Sequence, residues 1–143
     1  MDSQAVMLDV HLEQGLSESL SFTLLGSGLY RAEESSIASE SINLGDVIEA
    51  EPGPDNGIRF VRVIEKSPLM TLRWLIPQDA AESKGLGPFL AKVDAVGGRW
   101  ERALGGLLFL HLPHACGFDA DREFKHYTGC SSPRNERSQV DNV

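Results

Sequence analysis

The chain of 143 residues predicts an α+β fold. Three observations carry that expectation. Residues 1–67 hold short apolar runs of strand length, punctuated by glycine and proline turns. Residues 68–114 interrupt the strands with a segment of helical spacing. The composition, 41% hydrophobic and 24% charged, supplies apolar material for one compact core rather than two. The expected organisation is a single α+β domain over 1–114, mainly β through 67 and β-α-β-β from 68. A weak helix and a disordered tail follow over 115–143.

The elements are justified in order. Val6, Leu8, Val10 and Leu12 alternate on one side of a first strand. Leu20 to Leu25 is a second apolar run, and Gly26-Ser27-Gly28 turns it into Leu29-Tyr30-Arg31-Ala32, a hairpin. Glu33 to Asn43 is polar and serine-rich and reads as a loop. After the Leu44-Gly45-Asp46 turn, Val47 to Glu51 is a strand with Ile48 and Ala50 on one face and Glu49 and Glu51 on the other. The Pro52 to Gly57 stretch, with two prolines and Asn56-Gly57, reverses the chain into a strand over Ile58 to Glu65. The apolar phase of that strand slips between Phe60 and Val61, which suits a β-bulge or burial on both faces. Arg59 and Arg62 are then placed across from Glu49 and Glu51, where cross-strand pairs contribute roughly 0.2–1 kcal/mol each.

Beyond Ser67-Pro68, Thr71 to Ile76 is a strand, and Pro77-Gln78-Asp79 ends it and offers an N-cap. Asp79 to Lys84 is a short helical turn, broken by Gly85-Leu86-Gly87. Pro88 suits the first position of a second helix, in which Phe89, Leu90, Val93 and Val96 recur until Gly97-Gly98. Arg99 to Leu104 and Leu107 to Leu112 form a hairpin about a two-residue Gly105-Gly106 turn, and the leucine-rich second strand reads as central. Phe118 to Tyr127 forms a weak helix and Ser131 to Val143 a disordered tail.

The run from Leu29 through Pro113 resembles a small bacterial family, domain of unknown function 4265. The resemblance rests on Leu29-Tyr30-Arg31, Leu44 to Glu51, Phe60 to Ser67, Thr71-Leu72-Arg73, Gly98-Arg99-Trp100-Glu101 and Leu110-His111-Leu112-Pro113, in that order. The chain departs from the family's Gly-His-Ser-Thr at Pro68-Leu69-Met70-Thr71, and from its aromatic Pro-Phe-Phe stretch near Ser35-Ser36-Ile37. The resemblance implies a small antiparallel β-barrel-like half followed by a β-α-β-β layer, and no established activity.

Charge is unevenly placed. Residues 1–58 hold eleven acidic groups and the single basic residue Arg31, while the remainder holds ten acids and twelve bases. The first part therefore stands near -10, which is the wrong sign for a nucleic-acid footprint and steers basic partners. Glu33, Glu34, Glu40, Glu49, Glu51 and Asp55 are the candidate surface for such a partner. The longest apolar run, Leu107 to Leu112, is too short to span a membrane, and the acidic N-terminus lacks the features of a signal peptide. Cys116 and Cys130 read as free thiols of a cytoplasmic protein.

Other residues invite chemistry. His111, His114 and Cys116, with Asp119 and Asp121 beyond, are competent zinc ligands, but no second cluster closes a tetrahedral set. The expectation is a strand-end histidine beside a loop histidine. Cys116 with His114 lacks an orienting carboxylate for nucleophilic catalysis. Gly26-Ser27-Gly28 precedes no helix, and Gly85-Leu86-Gly87-Pro88 lacks the lysine of a P-loop, so neither cradles phosphate. Asp46 reads as a turn residue, and Trp74 and Trp100 as packing residues or interface anchors. The sequence thus favours a non-enzymatic protein-binding module without cofactor, an immunity-type or antitoxin-like inhibitor of a basic protein. A metal-binding protein or enzyme at His111, His114 and Cys116, or a regulatory ligand-binding module, are the competing readings.

Overall fold

The computed structural model describes residues 5–132. The fold is α+β, with eight strands in two sheets and three helices among the described residues. It divides into two compact units, Met1–Pro68 and Leu69–Val143.

The first unit is a closed barrel of β1 (Ala5–His11), β2 (Ser17–Gly26), β3 (Leu29–Ala32), β4 (Val47–Pro52) and β5 (Ile58–Glu65), each paired with the next. Neighbours in sequence are antiparallel, and the barrel closes through a short parallel pairing of Val10 with Ile58 and His11 with Arg59. Inward residues alternate along the strands, so Val10, Leu20, Phe22, Ile48, Ala50 and Ile58 meet in one buried cluster. Gly57 lies at the closure, where an added Cβ would stand 2.5 Å from the carbonyl oxygen of Asp9. Only a residue without a side chain lets the turn approach β1 this closely.

The phase slip in the fifth strand is real and occurs twice. Glu49 pairs with Arg62 while Ala50 pairs with Phe60, and Val47 pairs with Glu65 while Ile48 pairs with Val63. Val61 and Ile64 are the extra residues of these bulges, which turns both side chains outward at 44% and 47% exposure. The second strand begins three residues earlier than its apolar run, because Ser17 to Ser19 continue the ladder with β1 without apolar side chains.

The second unit holds β6 (Leu69–Leu75), a helical turn α1 (Gln78–Ala81), α2 (Leu86–Ala95), β7 (Arg99–Ala103), β8 (Leu107–Pro113) and α3 (Ala120–Thr128). Its antiparallel sheet has the order β6-β8-β7, so the leucine-rich strand is central. Trp74, Leu108, Leu110 and Leu112 pack with Phe89, Leu90 and Val93 of α2 and Phe124 of α3. Phe124 meets both Trp74 and Phe89 edge-on at 5.3 Å.

Several boundaries differ from the sequence expectation. The second helix starts at Leu86, so Pro88 occupies its third position, where its missing N–H is still one of the unbonded first four. The first helical turn is capped by Pro77 and ends by Ala81, with no side-chain cap from Asp79. The β7–β8 connection is three residues, Leu104 to Gly106, because Ala103 pairs with Leu107. Leu104 and Gly105 both take positive φ there. The segment after residue 114, read as lying outside the domain, contributes Ala120 and Phe124 to the core. Its helix is framed by Asp119, which accepts from the Arg122 amide, and by left-handed Gly129. The expected disordered tail, apart from Ser131 and Ser132, lies outside the described residues.

Candidate functional site

The six acidic residues singled out by sequence fall into two sets. Glu33 and Glu34 follow β3 and turn back onto β2. Glu33 accepts from the Thr23 hydroxyl at 2.6 Å and from Arg31 at 3.2 Å, and Glu34 accepts from the Ser21 amide at 2.8 Å. Glu40 is exposed on the same loop. Glu49 and Glu51 stand on the outer side of β4, opposite the buried Ile48 and Ala50. Each meets one of the two arginines expected across the ladder, Arg62 at 2.8 Å for Glu49 and Arg59 at 3.4 Å for Glu51. Asp55 is exposed at the apex of the β4–β5 turn, with φ of 57°.

Two further acids matter more to the fold than sequence reading suggested. Asp46 is 1% exposed and accepts from the amides of Asn43 at 3.0 Å and Ser67 at 2.7 Å, so the turn residue also ties the end of β5 to the start of β4. Glu18 accepts from the Ser36 hydroxyl and from the amides of Ile37 and Ala38. These carboxylates supply acceptors to a segment, residues 33–46, that has no ladder of its own.

In the second unit the structure assembles a set of groups that the sequence did not bring together. His111 is fully buried in the middle of β8 rather than at a strand end, and His114 is exposed beyond it. His111 Nε2 lies 2.6 Å from Glu101 Oε2, and Nδ1 lies 2.9 Å from Thr71 Oγ1. Strand register explains the meeting. Thr71 pairs directly with His111 across β6–β8, and Glu101 lies one diagonal step away on β7, where Phe109 is its direct partner. All three side chains therefore share the sheet face that looks away from the helices, together with Arg73, whose guanidinium sits 4.8 Å over the Phe109 ring.

A carboxylate only accepts, so Nε2 carries a hydrogen toward Glu101. In the neutral ring this leaves Nδ1 as the acceptor for the Thr71 hydroxyl. Both ring nitrogens of His111 are thus engaged by side chains other than His114, Cys116, Asp119 and Asp121. Among the described residues no group of three or more His, Cys, Asp or Glu side chains is placed to hold a metal ion. The signal for this set lay in the sequence as a lone histidine alternating with leucines, but its partners come from register, which the sequence did not give. Cys116 and Cys130 are free thiols, each half-buried against the second core. Trp74 is buried in that core, while Trp100 is 37% exposed and donates to Asp94 at 3.3 Å.

The barrel also exposes apolar side chains. Leu24, Leu25 and Leu29, at 56%, 44% and 37% exposure, surround the β2–β3 turn. Beside them a depression of about 470 Å³ is lined by Leu24, Gly26, Tyr30, Ala50, Glu51 and Pro52. Leu29 pairs with Glu49 across β3–β4, and Leu24 shares the depression with Glu51. No helix among the described residues is long and apolar enough to cross a membrane.

No protein-family model matches the chain, and no curated protein matches it. Among solved structures it is similar to a hypothetical protein from Neisseria gonorrhoeae, with a TM-score of 0.56 and 16% identity over 100% of this chain and 92% of that one. That likeness is one of fold.

Proposed function

We propose that the barrel unit is a protein-binding module that takes no part in catalysis and recognises a basic protein, in the manner of an immunity-type or antitoxin-like inhibitor. The observation that carries this reading is where the charge sits. Residues 1–68 hold twelve acidic and four basic residues and so account for the whole net charge of -8, while residues 69–143 hold nine of each. A negatively charged body accelerates encounter with a cationic one, and apolar anchors then set the lifetime of the complex. Exposed Leu29 beside Glu49, and exposed Leu24 beside Glu51, support both features in the barrel unit.

The ion pairs of Glu49 and Glu51 moderate this reading without removing it. Both are solvent-exposed, and such pairs contribute about 0.2–1 kcal/mol, so cations of a partner can replace Arg62 and Arg59 at small cost. Glu33 and Glu34 are held by barrel groups and contribute field rather than contact. The test is binding of a basic partner recovered from the source cell, measured by stopped-flow or surface methods against salt. The combined Glu49→Lys and Glu51→Lys change is expected to slow association at least tenfold at low salt, and Leu29→Asp to hasten dissociation. Unchanged rates in both variants would remove the barrel from recognition.

A further inference from the structure

The geometry points to a second, chemical capacity in the other unit: Thr71, His111 and Glu101 form a hydroxyl–imidazole–carboxylate relay that activates Thr71 as a nucleophile toward carboxylic esters. The three groups come from three different strands and are joined end to end, at 2.9 Å from hydroxyl to Nδ1 and 2.6 Å from Nε2 to carboxylate. That order of groups is the arrangement by which an ordinary alcohol becomes reactive without a lowered acidity of its own. In the neutral ring the acceptor on Glu101 selects the tautomer whose Nδ1, facing Thr71, accepts the hydroxyl proton.

Exposure falls in the sense such a relay needs. His111 has no accessible surface, the Glu101 side chain keeps 20%, and Thr71 is half-buried. The ring is shielded from water, and exposed surface in the set belongs to Thr71 and Glu101. The strand that carries His111, β8, is paired on both sides along this stretch. Its opposite face is packed on the aromatic core, which holds the register that brings the three groups together.

The reaction balances with an ester and water as the two reactants. Thr71 Oγ bonds to the carbonyl carbon as its proton passes to His111 Nδ1, and the carbonyl π pair moves onto oxygen. Collapse breaks the bond to the leaving alkoxide, which takes the proton from Nδ1 and departs as an alcohol. Water then adds to the acyl-threonine with its proton going to Nδ1. The second collapse returns a proton to Thr71 and releases the carboxylic acid. Thr71 and His111 are the catalytic residues of this scheme, and Glu101 is a positioning residue that orients the ring and balances its transient charge.

A buried histidine bonded in this way also serves as a cross-sheet tie, and the experiment separates the two roles. The full chain is incubated with a fluorophosphonate, which Thr71 attacks with loss of fluoride, and the adduct is located by peptide mass mapping. Turnover of p-nitrophenyl acetate is followed alongside across pH. The expected result is an adduct on Thr71, retained in Thr71→Ser and absent in Thr71→Val, which keeps the side-chain shape. His111→Gln is expected to slow labelling about 100-fold or more, in line with loss of a general base. Glu101→Gln should slow it less and move the acid limb of the pH–rate profile, a change that a purely structural role would not produce. An unlabelled Thr71 in the folded chain, or ester turnover undiminished in Thr71→Val, would overturn the inference even if His111→Gln fails to fold.

Discussion

The barrel and the second unit treat their carboxylates in different ways. In the barrel, Glu18, Glu34 and Asp46 accept from five backbone amides, those of Ser21, Ile37, Ala38, Asn43 and Ser67. Most of these belong to residues 33–46, a segment without regular structure. In the second unit helices and a central strand paired on both sides carry the backbone bonding, Asp119 accepts from the Arg122 amide at a helix start, and the buried His111 meets Glu101 and Thr71. The comparison teaches that an acidic excess in sequence need not all be surface charge. Part of the barrel's negative charge substitutes for missing ladder partners, and the remainder, on β4 and the turn after it, is left to face solvent.

The largest effect that tests this division lies in the second core. Phe89 is fully buried and touches Trp74, Phe118 and Phe124. Phe89→Ala should cost about 3–5 kcal/mol in urea denaturation, the usual penalty for an aromatic cavity. Amide exchange should rise in β6–β8 and α2–α3 before it rises in β1–β5. Equal loss of protection in both units would break the picture of two separate cores.

The next effect lies in the barrel. Asp46→Ala leaves two amides without their acceptor at a site that is almost fully enclosed. We expect a loss of about 2–3 kcal/mol, since bonds to a charged acceptor exceed neutral ones and unpaired buried donors are costly. Asp46→Asn, which keeps one accepting oxygen, should recover part of it. If Asp46→Ala melts with the wild type, the carboxylates of this unit are not structural and the contrast with the second unit disappears.

The α+β class, the succession of elements along the chain and most strand boundaries were legible because each element carries its own local signal. Alternation placed Ile48 and Ala50 inside, and the phase slip at Val61 announced its bulge. Arg59 and Arg62 were placed across from Glu49 and Glu51 because a turn fixes nearby register, and the structure supplies which arginine meets which glutamate. What escaped was non-local. Glu18 meets Ser36 across 18 residues, and Thr71 meets His111 across 40, and no short-range pattern encodes either. The third helix was underrated because its few apolar residues, Ala120 and Phe124, matter only once the sheet and α2 stand ready to receive them. Charge counting found the acidic half, yet could not tell a carboxylate that faces solvent from one that holds a loop.

The smallest effect bears on that last distinction. In a double-mutant cycle over Glu49→Ala and Arg62→Ala, we expect a coupling of about 0.2–1 kcal/mol, falling with added salt, because both side chains are well exposed. The same cycle over Glu33 and Thr23, whose contact is short and partly buried, should show a larger coupling that salt hardly alters. If the Glu49–Arg62 coupling equals or exceeds it, β4 belongs with the structural carboxylates. A partner would then have to displace arginines bound as firmly as the loop itself, and steering by the barrel's field would no longer translate into contact.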